Sequence, residues 1–80
     1  METQLHIDIL KAHKKHFEKI LKYYELQAAM YAQKAEEAVE NTEEVFFLRR
    51  MLYHFDNLAT QARHEIVNFS DTIKELEIME

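Results

Sequence analysis

The feature that most constrains this chain is that its 80 residues include neither glycine nor proline. Those two residues supply most tight turns and most left-handed backbone conformations in proteins. A β-rich fold needs a tight turn between most of its strands, so this composition argues strongly against one. Long helices joined by one or two connections need few such positions. We therefore expect an all-α protein.

Apolar residues recur in each half of the chain at alternating steps of three and four, which is the heptad pattern of a coiled-coil seam. Each stripe predicts a long amphipathic helix. The stripe in the first half is interrupted only by Lys14, and the stripe in the second half is unbroken. The first stripe comprises Ile7, Leu10, Lys14, Phe17, Leu21, Tyr24, Ala28, Tyr31, Ala35 and Ala38, and the second comprises Val45, Leu48, Leu52, Phe55, Ala59, Ala62, Ile66, Phe69, Ile73 and Leu76.

The heptad phase breaks between the two stripes, in residues 40–44. Asn41 followed by Glu44 three positions later fits the capping box that begins a helix. We predict a single domain over 1–80, with a helix over about 4–40, a tight turn near 41–42 and a second helix over about 43–78. One uninterrupted helix is the alternative, because no residue in this segment forbids helix.

If the chain folds back at this turn, residues whose numbers sum to about 83 face each other across the two helices. Large side chains then face small ones along most of the seam, as interdigitating cores prefer. The register also brings Arg63 beside Glu18 and Glu25, while Lys11 meets Glu77 further along. We therefore favour an antiparallel two-helix hairpin of the coiled-coil type. The layers that support it are Leu21 with Ala62, Tyr24 with Ala59, Ala28 with Phe55, and Ala35 with Leu48.

Each predicted helix carries a second apolar row beside its seam, and both rows fall on the same side of the hairpin. An exposed apolar patch of this size usually marks an interface. We expect two hairpins to associate through it as an antiparallel dimer, which makes a four-helix bundle with two-fold symmetry, and a different helical protein is the alternative partner. We call this set the second apolar face: Ile9, His13, His16, Ile20, Tyr23, Met30, Phe47, Met51, His54 and Leu58.

Three histidines of the second apolar face are the candidate metal ligands. His13 and His16 share one side of a helix, but two ligands do not complete a site, and His54 lies far along the hairpin. The chain also lacks the Glu-x-x-His and His-Glu-x-x-His motifs of helical metal sites. We predict no metal and no cofactor, with a metal- or haem-binding bundle as the alternative. Protonation near pH 6.5 is expected to weaken an apolar contact that contains these histidines.

The remaining functional classes find little support in the sequence. Lys11, Lys15, Lys19 and Lys22 form a strip that a nucleic acid could contact, but the net charge of −5 makes such a partner the least favoured. The chain has no cysteine, and its one serine, Ser70, has no histidine at a suitable position. We therefore expect no enzymatic activity and no small-molecule substrate.

Targeting signals are also missing from the sequence. No apolar run approaches the roughly 20 residues that span a bilayer, and the first residues lack the layout of a signal peptide. We expect a cytoplasmic protein with no membrane partner. The function that these patterns favour is a non-enzymatic protein-interaction module, in the manner of an adaptor, a small chaperone, an inhibitor or a regulator.

Overall fold

The protein is a two-helix hairpin in the computed structural model, which describes residues 2–38 and 43–79. Helix α1 spans Glu2–Glu37 and helix α2 spans Glu43–Met79. The helices pack against each other, so the chain does not form one uninterrupted helix. The turn predicted near 41–42 and the capping residue Asn41 lie outside the described residues.

The ends of both helices carry charges that suit the helix dipole. Glu2 lies in the first turn of α1 and Lys34 in its last turn, while Glu43 and Glu44 begin α2. Acidic groups at a helix N-terminus and basic groups at a C-terminus each stabilise the helix by about 0.3–1 kcal/mol. Ala38 extends the last turn of α1, because its N–H donates to the Lys34 carbonyl at 3.0 Å. These terms favour two helices that begin and end on either side of the connection.

The two heptad stripes form the contact between the helices. All the fully buried side chains belong to them, and every other stripe residue is at least partly buried. No polar or charged residue is buried in the described part of the chain. The seam predicted from the sequence is thus the core of the hairpin, and its buried members are Ile7, Ala28, Leu48, Ala59, Ala62 and Ile73.

Aromatic contacts across the seam fit the fold-back register. The Phe55 ring lies 6.2 Å from the Tyr24 ring and 5.8 Å from the Tyr31 ring, measured between centroids. Phe55 therefore packs over Ala28, which lies between those two tyrosines on α1. The hydrogen-bonded pair of Arg63 with Glu25 also forms, with Nη2 donating to Oε2 at 3.1 Å.

The second surface pair expected from that register is not formed. Lys11 and Glu77 both belong to the described residues and make no ion pair with each other. Both side chains are exposed, where ion pairs contribute little and water competes for each charge. The register therefore depends on the apolar seam and not on its charged edges.

Candidate interaction surface

The hairpin has two long edges beside its seam, and they differ in character. The Arg63–Glu25 pair joins the helices at one edge. At the other edge an open groove of about 620 Å³ separates them. Its lining residues include Phe17, Ile20, Tyr24, Leu58, Ala62 and Glu65. Because Ile20 and Leu58 belong to the second apolar face, the groove lies on that face.

The apolar residues of the second apolar face keep much of their surface in contact with solvent. Ile9, Tyr23 and Phe47 are exposed over 44%, 54% and 56% of their surfaces. Four others are only partly buried by the seam, namely Ile20, Met30, Met51 and Leu58. The face therefore presents a row of apolar groups along each helix, which the other described residues of the hairpin leave at least partly open to solvent.

Each histidine of the face packs against a phenylalanine of the seam. The His13 ring stacks on Phe69 with a centroid distance of 5.9 Å and an interplanar angle of 13°. His16 meets the edge of Phe17 at 6.0 Å, and His54 meets that of Phe55 at 5.3 Å. The three imidazoles are exposed at their outer sides. They form the border between the seam and the second apolar face.

The histidines do not converge on one point in a single hairpin. Phe69 and Phe55 are two heptads apart on α2, so His13 and His54 lie about 20 Å from each other along the axis. Over residues 2–38 and 43–79, no group of three or more histidine, aspartate or glutamate side chains is placed to hold a metal ion. The geometry of one hairpin thus offers His13 with His16 as an isolated pair.

Helix α2 carries further exposed apolar residues outside the predicted interface. Phe46, Tyr53 and Val67 are exposed, with Phe46 at 70%. Their spacing of seven and fourteen residues puts them on one side of α2, and that spacing is the sequence signal that finds them. They lie away from the groove, on the side of the Arg63–Glu25 pair. Dimerisation through the second apolar face would leave them exposed.

The lysines of the proposed strip are exposed on α1. Five carboxylates also occupy heptad positions of the second apolar face, namely Glu2, Glu37, Glu44, Glu65 and Glu75. Among the described residues, Lys34 is the one lysine or arginine at such a position. The face therefore combines apolar rows with an excess of negative charge.

No protein-family model matches the chain, and neither a curated protein nor a solved structure matches it. Over the described residues, neither helix has an apolar stretch long enough to cross a membrane.

Proposed function

We propose that this protein is a non-enzymatic protein-interaction module of the cytoplasm, in which two hairpins associate through the second apolar face into a four-helix bundle. The observation that carries the proposal is the exposure of that face, with Ile9, Tyr23 and Phe47 open to solvent beside an apolar groove. Contiguous apolar surface of this kind is uncommon on a soluble monomer and marks interaction sites.

The surface area of the hairpin supports a partner of similar size. The chain exposes 6368 Å². A compact monomer of its mass exposes about 5,100 Å². The excess of about 1,200 Å² exceeds the roughly 800 Å² that each partner buries in an interface of standard size. Covering the second apolar face with another hairpin would give each chain the exposed surface of a compact protein.

The small size of the seam supports the same proposal. Three of its six buried residues are alanines, namely Ala28, Ala59 and Ala62, which remove little apolar surface from water. The Cα atoms occupy a rod of 60 × 14 × 13 Å, and the radius of gyration is 18.0 Å against about 11.6 Å for a compact chain of this length. Small domains with so thin a core gain stability from oligomerisation.

Light scattering over a range of concentrations tests the proposal. The expected mass is twice the chain mass of 9.7 kDa. Ile20→Glu and Leu58→Glu each place a carboxylate in the apolar contact, so each is expected to convert the dimer to monomer. Leu26→Glu is the matched control, because Leu26 is 69% exposed outside the face. This variant is expected to keep the mass of the dimer.

Circular dichroism at the same concentrations separates dissociation from unfolding. A variant that dissociates but keeps its hairpin fold is expected to retain a helical spectrum, whereas loss of that spectrum would indicate unfolding. A folded monomer that is indifferent to both substitutions would contradict self-association. It would direct the search to a different helical protein as the partner of this face.

A further inference from the structure

The α2 part of the second apolar face changes character halfway along the helix. From the connection as far as Leu58 its heptad positions hold Phe47, Met51, His54 and Leu58. From Gln61 to Glu75 the same positions hold polar residues, which are Gln61, Glu65, Asn68, Thr72 and Glu75, and the apolar Met79 follows in the last turn. On helix α1 the apolar residues and histidines run from Ile9 to Met30 with one interruption at Gln27, and the polar Lys34 and Glu37 follow toward the connection. This asymmetry distinguishes between the possible arrangements of two copies.

Two identical hairpins can meet face to face with two-fold symmetry in two ways. With the axis across the hairpins, their connecting ends point in opposite directions, and each helix lies against its own counterpart. With the axis along the hairpins, both connecting ends lie together, and α1 of one copy lies against α2 of the other. We call these the opposed and the aligned dimer.

The opposed dimer places unlike surfaces of α2 in contact. With the two hairpins fully overlapped, Leu58 of one copy comes level with Glu65 of the second copy. Met51 then meets Thr72, and Phe47 meets Glu75. Each apolar side chain of α2 would cover a polar one, and burying a carboxylate without a partner is costly. The pattern on α2 therefore disfavours this arrangement.

The aligned dimer places like surfaces in contact near the connecting end. Each residue of α1 faces a certain position of α2 within its own hairpin. In the aligned dimer it also lies level with that same position on α2 of the second copy. Met30 comes level with Met51 and His54, and Tyr23 with Leu58. Apolar side chains cover apolar side chains in these two layers, which is the condition for a favourable burial of surface. Phe47 comes level with Lys34 and Glu37, and Ile9 and Ile20 come level with polar residues of α2.

The same alignment pairs complementary polar groups near the other end. His16 comes level with Glu65 and Asn68 of the second copy, and His6 comes level with Glu75. An imidazole N–H that donates to a carboxylate makes a charge-assisted hydrogen bond. His6 and His16 of α1 thus face carboxylates of α2, whereas His13 comes level with Asn68 and Thr72. The second apolar face is complementary to a second copy of itself in this arrangement.

We propose, on the basis of the function proposed above, that the partner of this face is a second copy in the aligned dimer, with both connecting ends together. This arrangement replaces the antiparallel dimer expected from the sequence. Its four helices run antiparallel to their neighbours, as in ordinary four-helix bundles. The polar half of α2 then sets the relative direction of the two copies, and the apolar half of α2 supplies the contact.

Distances between spin labels test the arrangement. The chain has no cysteine, so single-cysteine variants of the full chain carry one label per copy. Glu36→Cys and Lys74→Cys place labels near the two ends and outside the second apolar face, and Lys19→Cys places one near the middle. All three positions are exposed, and light scattering checks that each labelled variant keeps the mass of the unlabelled protein.

The aligned dimer predicts a short distance, about 20–30 Å, for all three variants, because each label then meets its copy across a bundle two helices thick. The opposed dimer predicts about 45 Å for Glu36→Cys and about 40 Å for Lys74→Cys, with Lys19→Cys still short. Long distances at both ends would overturn the aligned arrangement and leave the proposed function standing. The absence of any distance at Lys19→Cys would overturn both.

Discussion

Replacing Phe55 by alanine tests the register of the seam, because this ring joins the helices through several contacts. It packs within 6.4 Å of the Tyr23, Tyr24 and Tyr31 rings, measured between centroids. A Phe→Ala change in a fully packed core costs about 3–5 kcal/mol, and Phe55 is only partly buried in one hairpin. We therefore expect a loss of about 2–4 kcal/mol in the free energy of unfolding.

That loss is large for a chain of this length, whose total stability is about 4–12 kcal/mol at typical values per residue. It corresponds to a fall in Tm of about 8–32 °C at the 4–8 °C per kcal/mol typical of small domains. Urea and thermal unfolding followed by circular dichroism measure both quantities. All proteins are compared at one concentration, because the stability of an associating chain depends on concentration.

Phe46→Ala is the matched control, since it removes the same atoms from a ring that is 70% exposed on the same helix. Its expected cost is below about 1 kcal/mol. Phe55→Leu is expected to fall between the two, because it keeps an apolar group over Ala28 and loses the ring contacts. Equal costs for Phe55→Ala and Phe46→Ala would refute the fold-back register and the assignment of Phe55 to the seam.

Two further predictions concern polar groups. About half of each side chain of the Arg63–Glu25 pair is exposed to solvent. A double-mutant cycle is therefore expected to give a coupling energy below about 1 kcal/mol, which decreases as salt is added. A coupling energy above about 2 kcal/mol would mean that the pair is shielded from water. In the aligned dimer His16 lies beside Glu65 of the second copy, so protonation of this histidine strengthens association, even though Lys19 is also close. The dissociation constant of the dimer is therefore expected to fall about three- to tenfold from pH 8 to pH 5.5. Glu65→Gln is expected to abolish that change, whereas weaker association at pH 5.5 would show that the histidine meets apolar surface.

The sign of this pH dependence separates two interpretations of the same residues. Considered with their own helix alone, His13 and His16 lie in an apolar row, and protonation there weakens a contact. Once α2 is placed beside α1, Glu65 is level with His16, and an aligned second copy adds another such carboxylate. The charge of a neighbouring helix cannot be inferred from periodicity within one segment, which is why the sequence alone favours the first interpretation.

The seam was the part of the fold most accessible from the sequence. Heptad spacing depends only on the geometry of one helix, and an apolar stripe must be covered somewhere, so Ile7, Leu48 and Ile73 could be placed in the core. The pairing of large with small residues then selected the hairpin over one long helix. Phe55 over Ala28 shows why this works, because the alanine leaves room for the ring between two tyrosines.

Other features could not be predicted because they depend on how two helices are placed in space. The groove beside Ile20 and Leu58 exists because both side chains border a gap between the helices, and neither segment reveals that gap alone. The ion pair predicted between Lys11 and Glu77 is not formed for a related reason, because solvent-exposed charges do not determine how two helices are placed. Phe46, Tyr53 and Val67 recur at multiples of seven residues, so their common side of α2 could be predicted from the sequence. A search for one continuous apolar stripe does not include them.

The composition of the seam connects the fold to the proposed association. Ala28, Ala59 and Ala62 allow the helices to approach closely, but they bury little apolar surface. A hairpin has only one seam, so in the proposed dimer Met30, Phe47 and the rest of the second apolar face gain their burial from the second copy. In the proposed bundle the same contact that recruits a second copy also completes the core. Association and stability are then two measures of one interface, and substitutions in the second apolar face alter both.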